Sequence, residues 1–169
     1  MQANDRRRYP ERPIVGVGGG SPVDVAKAIR VVATHPGHVS EYYNAEKITM
    51  EMPVLIAIPT TSGTGTEVSG GGVITDTRDN RKKVVRSGPP SLALVDPELT
   101  LSMTPPLTAA TGMDALCHSI EAYVTRQYNP LAGAIAIAGI KLVAQNLRRA
   151  VEDGTDIEAR KNMAMASTM

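Results

Sequence analysis

The stretch IVGVGGGSPVD, residues 14–24, joins a short apolar segment to three consecutive glycines and a Ser-Pro pair. Its first residues form the uninterrupted apolar run that is typical of a buried strand. Ser21 is a residue type that caps helices, Pro22 suits the first helical position, and Asp24 completes a capping-box-like Ser-x-x-Asp. The pattern therefore predicts a strand, a glycine turn and a capped helix over residues 23–34.

A strand, a glycine turn and a helix in this order form an arrangement that binds phosphate groups. Glycines let the backbone approach an anion closely, and a helix N-terminus offers unpaired N–H groups and the positive end of the helix dipole. The spacing Gly16-x-Gly18-x-x-Ser21 is similar to the dinucleotide-binding fingerprint, with Ser in place of the third Gly. A tight turn that only holds a helix on a sheet is the structural alternative.

A second apolar run, residues 53–59, opens into the hydroxyl-rich segment TTSGTGTE at residues 60–67. In open α/β sheets, ligands bind beyond the carboxyl ends of the strands. We therefore expect this loop and the glycine turn to meet over a single nucleotide, although a plain Thr/Gly linker would look similar. Residues 73–85 predict a hairpin on the edge of the same sheet, and residues 91–97 predict its last strand.

Beyond the paired prolines Pro105 and Pro106 the pattern is helical throughout. Two adjacent prolines predict a hinge, because proline interrupts both helices and strands. The first helix is predicted over residues 108–124, and a long one follows from a cap at Asn129 to about residue 151. A further helix is expected to start at Thr155.

Composition excludes several classes of protein. The 169 residues are 42% hydrophobic and 21% charged, which is typical of a soluble globular protein, and the net charge of +1 offers no general attraction to nucleic acid or membrane. Five Tyr and no Phe or Trp predict an aliphatic core and leave few rings to stack on bases. A single cysteine, Cys117, excludes an internal disulfide and fits a reducing cytoplasm. No run reaches the ~18 apolar residues that span a bilayer.

Asp114 and His118 stand four residues apart in the helical segment 108–124, so their side chains share one helix face. A carboxylate oxygen and an imidazole nitrogen both suit Fe, Zn, Mn or Ni. A tight catalytic site needs three or four protein ligands, and the other histidines, His35 and His38, lie far upstream. The pair therefore predicts half of a metal site, with an ordinary surface pair as the alternative.

Three motifs resemble those of the iron-containing (group III) alcohol dehydrogenases: GGGSPxDxAK at residues 18–27, IPTTxGTGxE at 58–67 and TAATGMDALxHxIE at 108–121. The resemblance covers about residues 13–169. It implies an incomplete, Rossmann-like α/β dinucleotide-binding domain over residues 1–104. The first helices of an all-helical domain follow over residues 105–169, in a dehydroquinate synthase-like architecture with the active site in the cleft between the domains. The chain is expected to be a truncated central fragment of a family member.

The resemblance also assigns roles to individual residues. It implies that NAD or NADP is bound by the glycine turn, the Thr-rich loop, a lysine after the hairpin turn and the segment before the prolines, namely Gly18, Gly19, Gly20, Ser21, Thr60, Thr61, Thr64, Lys83, Thr100 and Leu101. Asp114 and His118 match the first two ligands of a metal held by one Asp and three His. The metal is expected to be Fe²⁺, or alternatively Zn²⁺, and the other two histidines are expected beyond residue 169.

The activity implied is reversible hydride transfer between a primary alcohol or aldehyde and a nicotinamide cofactor, with the metal polarising the alcohol oxygen. Asp114 is expected to be a ligand rather than a base. The partners expected are a small-molecule substrate and further copies of the chain, with no nucleic acid and no membrane. The alternatives are a non-catalytic nucleotide-binding module, a metal-free enzyme similar to maleylacetate reductases, and a remnant without catalysis. The presence of both Asp114 and His118 argues against the metal-free enzyme.

Overall fold

The computed structural model describes residues 12–169. The three arginines at positions 6–8, whose sequence fits a solvated leader better than a nucleic-acid-binding arm, lie outside the described residues. The chain divides into two compact units. The first comprises Met1–Pro59 and Thr66–Leu94, and the second comprises Thr60–Gly65 and Val95–Met169. This division places residues 60–65 and 95–104 with the helices, whereas the expected boundary between residues 104 and 105 stays a prediction.

The first unit is an α/β unit. Its elements are β1 (Ile14–Gly18), α1 (Gly20–Val32), β2 (Leu55–Pro59), β3 (Gly72–Asp76), β4 (Arg81–Val85) and β5 (Leu92–Ala93). Strands β1, β2 and β5 form a parallel sheet in the order β1-β2-β5, as the Rossmann-like prediction requires. The predicted hairpin is confirmed as the antiparallel pair β3–β4, but its position on the edge of that sheet is wrong, because the pair forms a separate two-stranded sheet.

Helix α1 packs closely on one face of the parallel sheet. A Cβ added at Gly16 would lie 2.9 Å from the Cβ of Ala26, so the helix approaches β1 more closely than a side chain would allow. The opposite face is open, with Val15 51% and Val17 55% exposed. The described residues therefore leave this apolar face uncovered, whereas parallel sheets are normally covered on both faces.

The polar segment after α1 is organised by a buried histidine, which the sequence pattern did not indicate. The Nε2 atom of His35 lies 3.1 Å from the backbone nitrogens of both Thr49 and Met50, and Nδ1 lies 3.0 Å from the carbonyl oxygen of Val31. These contacts assign the neutral tautomer in which Nδ1–H donates and Nε2 accepts. Two short 3₁₀ helices, Val39–Tyr42 and Ala45–Lys47, lie within the loop that His35 closes.

Replacing His35 with Ala is expected to lower the free energy of unfolding by about 2 kcal/mol, because the N–H groups of Thr49 and Met50 lose their acceptor and the buried ring leaves a cavity. His38→Ala is the matched control, since His38 is exposed and caps only the following 3₁₀ helix, so its loss costs at most about 1 kcal/mol. Urea unfolding followed by circular dichroism compares the two variants. Equal effects would contradict the structural role of His35.

The second unit contains three α-helices in its described residues: α2 (Pro105–Val124), α3 (Pro130–Glu152) and α4 (Ile157–Thr168), preceded by a 3₁₀ helix, Pro97–Thr100. Its core is aliphatic, as the composition predicted, and consists of Ala115, Val143, Ala150, Ala159, Met163 and Ala166. A Cβ at Gly112 would meet Leu147 Cδ1 at 2.2 Å, so the absence of a side chain there lets α2 and α3 pack closely.

The ends of these helices confirm one prediction and correct two. Asn129 caps α3, because its side chain accepts from the N–H groups of Leu131 and Ala132. The prolines at 105 and 106 form the first turn of α2 instead of a hinge, since proline needs no hydrogen-bond acceptor there and its fixed φ suits a helix start. Helix α4 begins at Ile157, two residues later than expected, because Asp156 rather than Thr155 caps it.

Within residues 12–169 one helix, α3, is long and apolar enough to cross a bilayer by length and composition alone, although it contains no uninterrupted run of ~18 apolar residues. An 18-residue window of α3 reaches a mean hydropathy of 1.4 despite scattered polar residues. The core helix of a soluble protein passes the same test, so this finding is weak evidence for a membrane span.

Candidate functional site

The glycine turn and the Thr-rich loop begin at neighbouring positions. In the parallel pairing of β1 with β2, the last residue of β1, Gly18, lies opposite the last residue of β2, Pro59. The turn after β1 and the loop after β2 therefore both start at the carboxyl edge of the sheet, which is where open α/β sheets bind ligands.

The glycine turn leaves the N-terminus of α1 accessible to an anion. Gly18 has φ +142°, and a Cβ there would lie 2.7 Å from Pro22 Cγ, so only glycine fits. The predicted cap at Ser21 is wrong: Gly19 is the N-cap, the helix starts at Gly20, and no side chain caps it. The first turn also lacks an acidic residue, so the unpaired N–H groups and the helix dipole favour a bound anion.

The Thr-rich loop, residues 60–65, packs against α2. A Cβ at Gly63 would meet the carbonyl oxygen of Thr111 at 2.4 Å, so the loop backbone rests directly on that helix. Thr111 precedes Asp114 by three residues, which places the contact one helical turn before the carboxylate. Thr60, Thr61 and Thr64 are half-buried, and the hydroxyl of Ser62 is buried with no hydrogen-bond partner among the residues that the structure describes.

Asp114 and His118 lie on the same face of α2, as their spacing predicted. His118 Nε2 is 3.8 Å from Asp114 Oδ1, and the two side chains are 52% and 45% exposed. Two ligands of one ion with bonds of about 2.1 Å lie roughly 3 Å apart, so a small rotation of these exposed side chains suffices. The donor chemistry fits Fe²⁺. Among residues 12–169, however, no group of three or more His, Cys, Asp or Glu could hold a metal, so metal binding by this pair stays a prediction.

The remaining residues predicted to bind cofactor are engaged in local structure. Lys83 Nζ lies 3.0 Å from Asp79 Oδ2 within the hairpin. Thr100 is buried and donates its hydroxyl to the carbonyl of Pro97, and the neighbouring Leu101 is exposed. The contacts of Lys83, Thr100 and Leu101 with a cofactor therefore stay predictions.

The hairpin that carries Lys83 is anchored by a buried carboxylate. Asp76 accepts from Arg78 Nη2 at 2.6 Å and Arg78 Nε at 2.9 Å, and from the Tyr43 hydroxyl at 3.1 Å. The hydrogen bonds from Arg78 hold the pKa of Asp76 well below its ordinary value. Tyr43, to which the sequence pattern assigned no chemistry, thus joins the polar segment to the hairpin.

The sequence pattern missed two buried polar residues beside the site. Lys27 belongs to the first family motif, Thr66 stands at an unspecified position of the second, neither motif assigns them a role, and both side chains are buried. The available signal was the spacing of Asp24 and Lys27, three residues apart on α1, which places an acid and a base on one helix face.

Two family models match the chain. One, described as "Iron-containing alcohol dehydrogenase", matches residues 6–97, and the other, "Fe-containing alcohol dehydrogenase family, C-terminal", matches residues 108–169. Among curated proteins, 1,3-propanediol dehydrogenase of Citrobacter freundii is 47% identical over 158 residues, which are 92% of this chain and 41% of that protein. The chain therefore spans about two fifths of the length of this relative.

Solved structures show the same partial coverage. A crystal structure of 1,3-propanediol oxidoreductase is similar with a TM-score of 0.90 and 43% identity, over 97% of this chain and 44% of that one. A sulfoacetaldehyde reductase from Bifidobacterium kashiwanohense in complex with NAD⁺ is similar with a TM-score of 0.83 and 37% identity, over 91% of this chain and 42% of that one.

Proposed function

Because the chain belongs to the iron-containing alcohol dehydrogenase family, we propose that it takes part in hydride transfer between a primary alcohol or aldehyde and a nicotinamide cofactor. One observation carries this proposal. The loop that begins beside the glycine turn packs through Gly63 on Thr111, one helical turn before Asp114. A cofactor held by the loop would thus lie near the residues that we expect to bind metal.

In this proposal the two loops bind and orient the cofactor. The N–H groups at the start of α1 would hold the pyrophosphate through the residues from Gly18 to Ser21, and the hydroxyls of Thr60, Thr61 and Thr64 would contact phosphate and nicotinamide. Lys83, Thr100 and Leu101 are proposed to line the rest of the cofactor site. We propose NAD as the cofactor, because a similar structure is an NAD⁺ complex.

Asp114 and His118 are the residues that would hold Fe²⁺ in this protein. The metal would supply a Lewis acid that polarises the substrate oxygen. Asp114 would act only as a ligand, and the protein would align the reacting carbon atoms and exclude water. Further ligands must come from outside the described residues or from another copy of the chain. The second source would require the homo-oligomer that we propose. We also propose a cytoplasmic location.

A second candidate function is favoured by one observation. Residues 12–169 provide no third metal ligand near Asp114 and His118, so the chain by itself would act as a nucleotide-binding module without turnover. In that case the two loops would still bind NADH, and no hydride would move. Binding and turnover must therefore be measured separately.

The proposed function is tested by replacing Gly19 with Asp and, as the matched control, with Asn. Gly19 has φ −71° and ψ −163°, an extended backbone that both residues adopt as helix caps. The Asp carboxylate would occupy the N–H groups of α1 and repel phosphate, so we expect NADH affinity to fall at least about tenfold, whereas Asn should cost much less.

Fluorescence titration with NADH measures this affinity, and NADH formation from NAD⁺ and 1,3-propanediol under anaerobic conditions with Fe²⁺ measures turnover. Equal NADH affinity in the Asp variant and the unaltered protein would exclude phosphate binding at α1. NADH binding without turnover would favour the nucleotide-binding module over the dehydrogenase.

A further inference from the structure

A fully buried lysine joins α1 to the segment that follows the Thr-rich loop. Lys27 has 0% exposure, and its Nζ donates to Thr66 Oγ1 at 2.9 Å, Ser69 Oγ at 3.0 Å and the Gly71 carbonyl at 2.8 Å. An ammonium group has three hydrogen-bond donors, so all of them are used. All three acceptors lie within residues 66–71, which begin directly after Gly65.

The Thr66 hydroxyl connects this lysine to a carboxylate. It accepts from Lys27 and donates to Asp24 Oδ1 at 2.5 Å, while Asp24 Oδ1 lies 3.9 Å from Lys27 Nζ. A hydroxyl is required here, because no apolar side chain can accept and donate at once. The three side chains thus form a closed network between α1 and residue 66.

The network is costly for stability alone. Burial lowers the pKa of Lys27, and the nearby carboxylates Asp24 and Glu67 oppose that change. Buried ion pairs contribute little net stability compared with well-packed apolar residues, although removing one partner is strongly destabilising. The position in which the network holds residues 66–71 against α1 therefore explains it better than a gain in stability does.

The backbone confirms how closely the segment is held. A Cβ at Gly72 would lie 2.8 Å from the Asp24 carbonyl oxygen and 3.1 Å from Lys27 Cβ, so the chain passes directly against α1. Residues 66–72 are thus fixed to the first turns of the same helix whose N-terminus carries the glycine turn.

We propose that Lys27, Asp24 and Thr66 are positioning residues, which fix the end of the Thr-rich loop against α1 and so preorganise both loops for the cofactor. This inference rests on the proposed function, because it assigns the network a purpose in cofactor binding. None of the three residues needs to contact the cofactor, since they act through the backbone of the loops.

The test compares Thr66→Val, which keeps the shape and removes the hydroxyl, with Thr66→Ser, which keeps the hydroxyl. Lys27→Met is a third variant, and Lys161→Met is its control because Lys161 is an exposed lysine of α4. Hydrogen–deuterium exchange of residues 66–72 reports the anchor, and NADH titration reports the cofactor site. We expect Thr66→Val to speed hydrogen exchange in residues 66–72 and to weaken NADH binding, each about tenfold. Thr66→Ser should keep both the exchange rate and the NADH affinity of the unaltered protein.

Faster exchange in residues 66–72 with unchanged NADH affinity would overturn the positioning role and leave a structural anchor only. Unchanged exchange in Thr66→Val would overturn the anchor itself. If Lys27→Met does not fold, the two Thr66 variants decide the question. Absence of NADH binding by the unaltered chain would contradict the proposed function and with it the cofactor role, whereas the exchange data would still decide whether the anchor exists.

Discussion

Replacing Gly63 with Ala is expected to lower the free energy of unfolding of the helical unit by about 3 kcal/mol or more. The added Cβ would lie 2.4 Å from the carbonyl oxygen and 2.7 Å from the Cβ of Thr111. Thr111 lies within α2, well away from both helix ends, so neither atom can move without shifting the helix backbone and disturbing its hydrogen bonds. The Thr-rich loop would therefore have to move away from α2 and lose its packing contact with that helix.

Gly133→Ala is the matched control. Gly133 lies inside α3, and a Cβ there would meet nothing within 4 Å. Because alanine favours a helix more than glycine does, this change should raise stability by about 0.5–1 kcal/mol. Urea unfolding followed by far-ultraviolet circular dichroism should thus give shifts of opposite sign for the same chemical change. An unchanged midpoint for Gly63→Ala would contradict the contact between the loop and α2.

Replacing either Asp114 or His118 with Ala is expected to weaken Fe²⁺ binding by at least about tenfold, because a chelating pair becomes a single ligand. The two side chains are about half exposed, so neither substitution should change stability by more than about 0.5 kcal/mol. Anaerobic calorimetric titration with Fe²⁺ and Zn²⁺, with and without NADH, measures the effect directly.

Cys117→Ser is the control for the metal titration, because Cys117 is exposed and adjacent to His118, and a thiolate also binds these metals. We expect Cys117→Ser to bind Fe²⁺ like the unaltered protein. Loss of binding in Cys117→Ser together with normal binding in Asp114→Ala would assign the metal to the thiol and overturn the proposed site. Stronger metal binding in the presence of NADH would indicate that the cofactor loops and the metal pair act together.

Some features of the fold follow directly from local sequence. The β1–turn–α1 unit is one, since an apolar run, glycines and a helix-forming segment each specify their conformation within a few residues. The cap at Asn129 and the shared helix face of Asp114 and His118 are others, because capping and helical pitch are local properties. Helix starts follow less directly: Ser21 has the chemistry of a cap, but the cap is Gly19, two residues earlier, and the helix begins at Gly20.

By itself, then, the sequence determined most of the elements, the two loops and the shared helix face of Asp114 and His118. Only the tertiary structure decided which distant segments touch: Lys27 with residues 66–71, Gly63 with Thr111, and the hairpin as a sheet separate from β1 and β2. These contacts join residues about forty positions apart, such as Lys27 and Thr66 with a separation of 39. No local periodicity encodes such a pairing, because it depends on how whole elements pack and on which buried polar groups must then find partners.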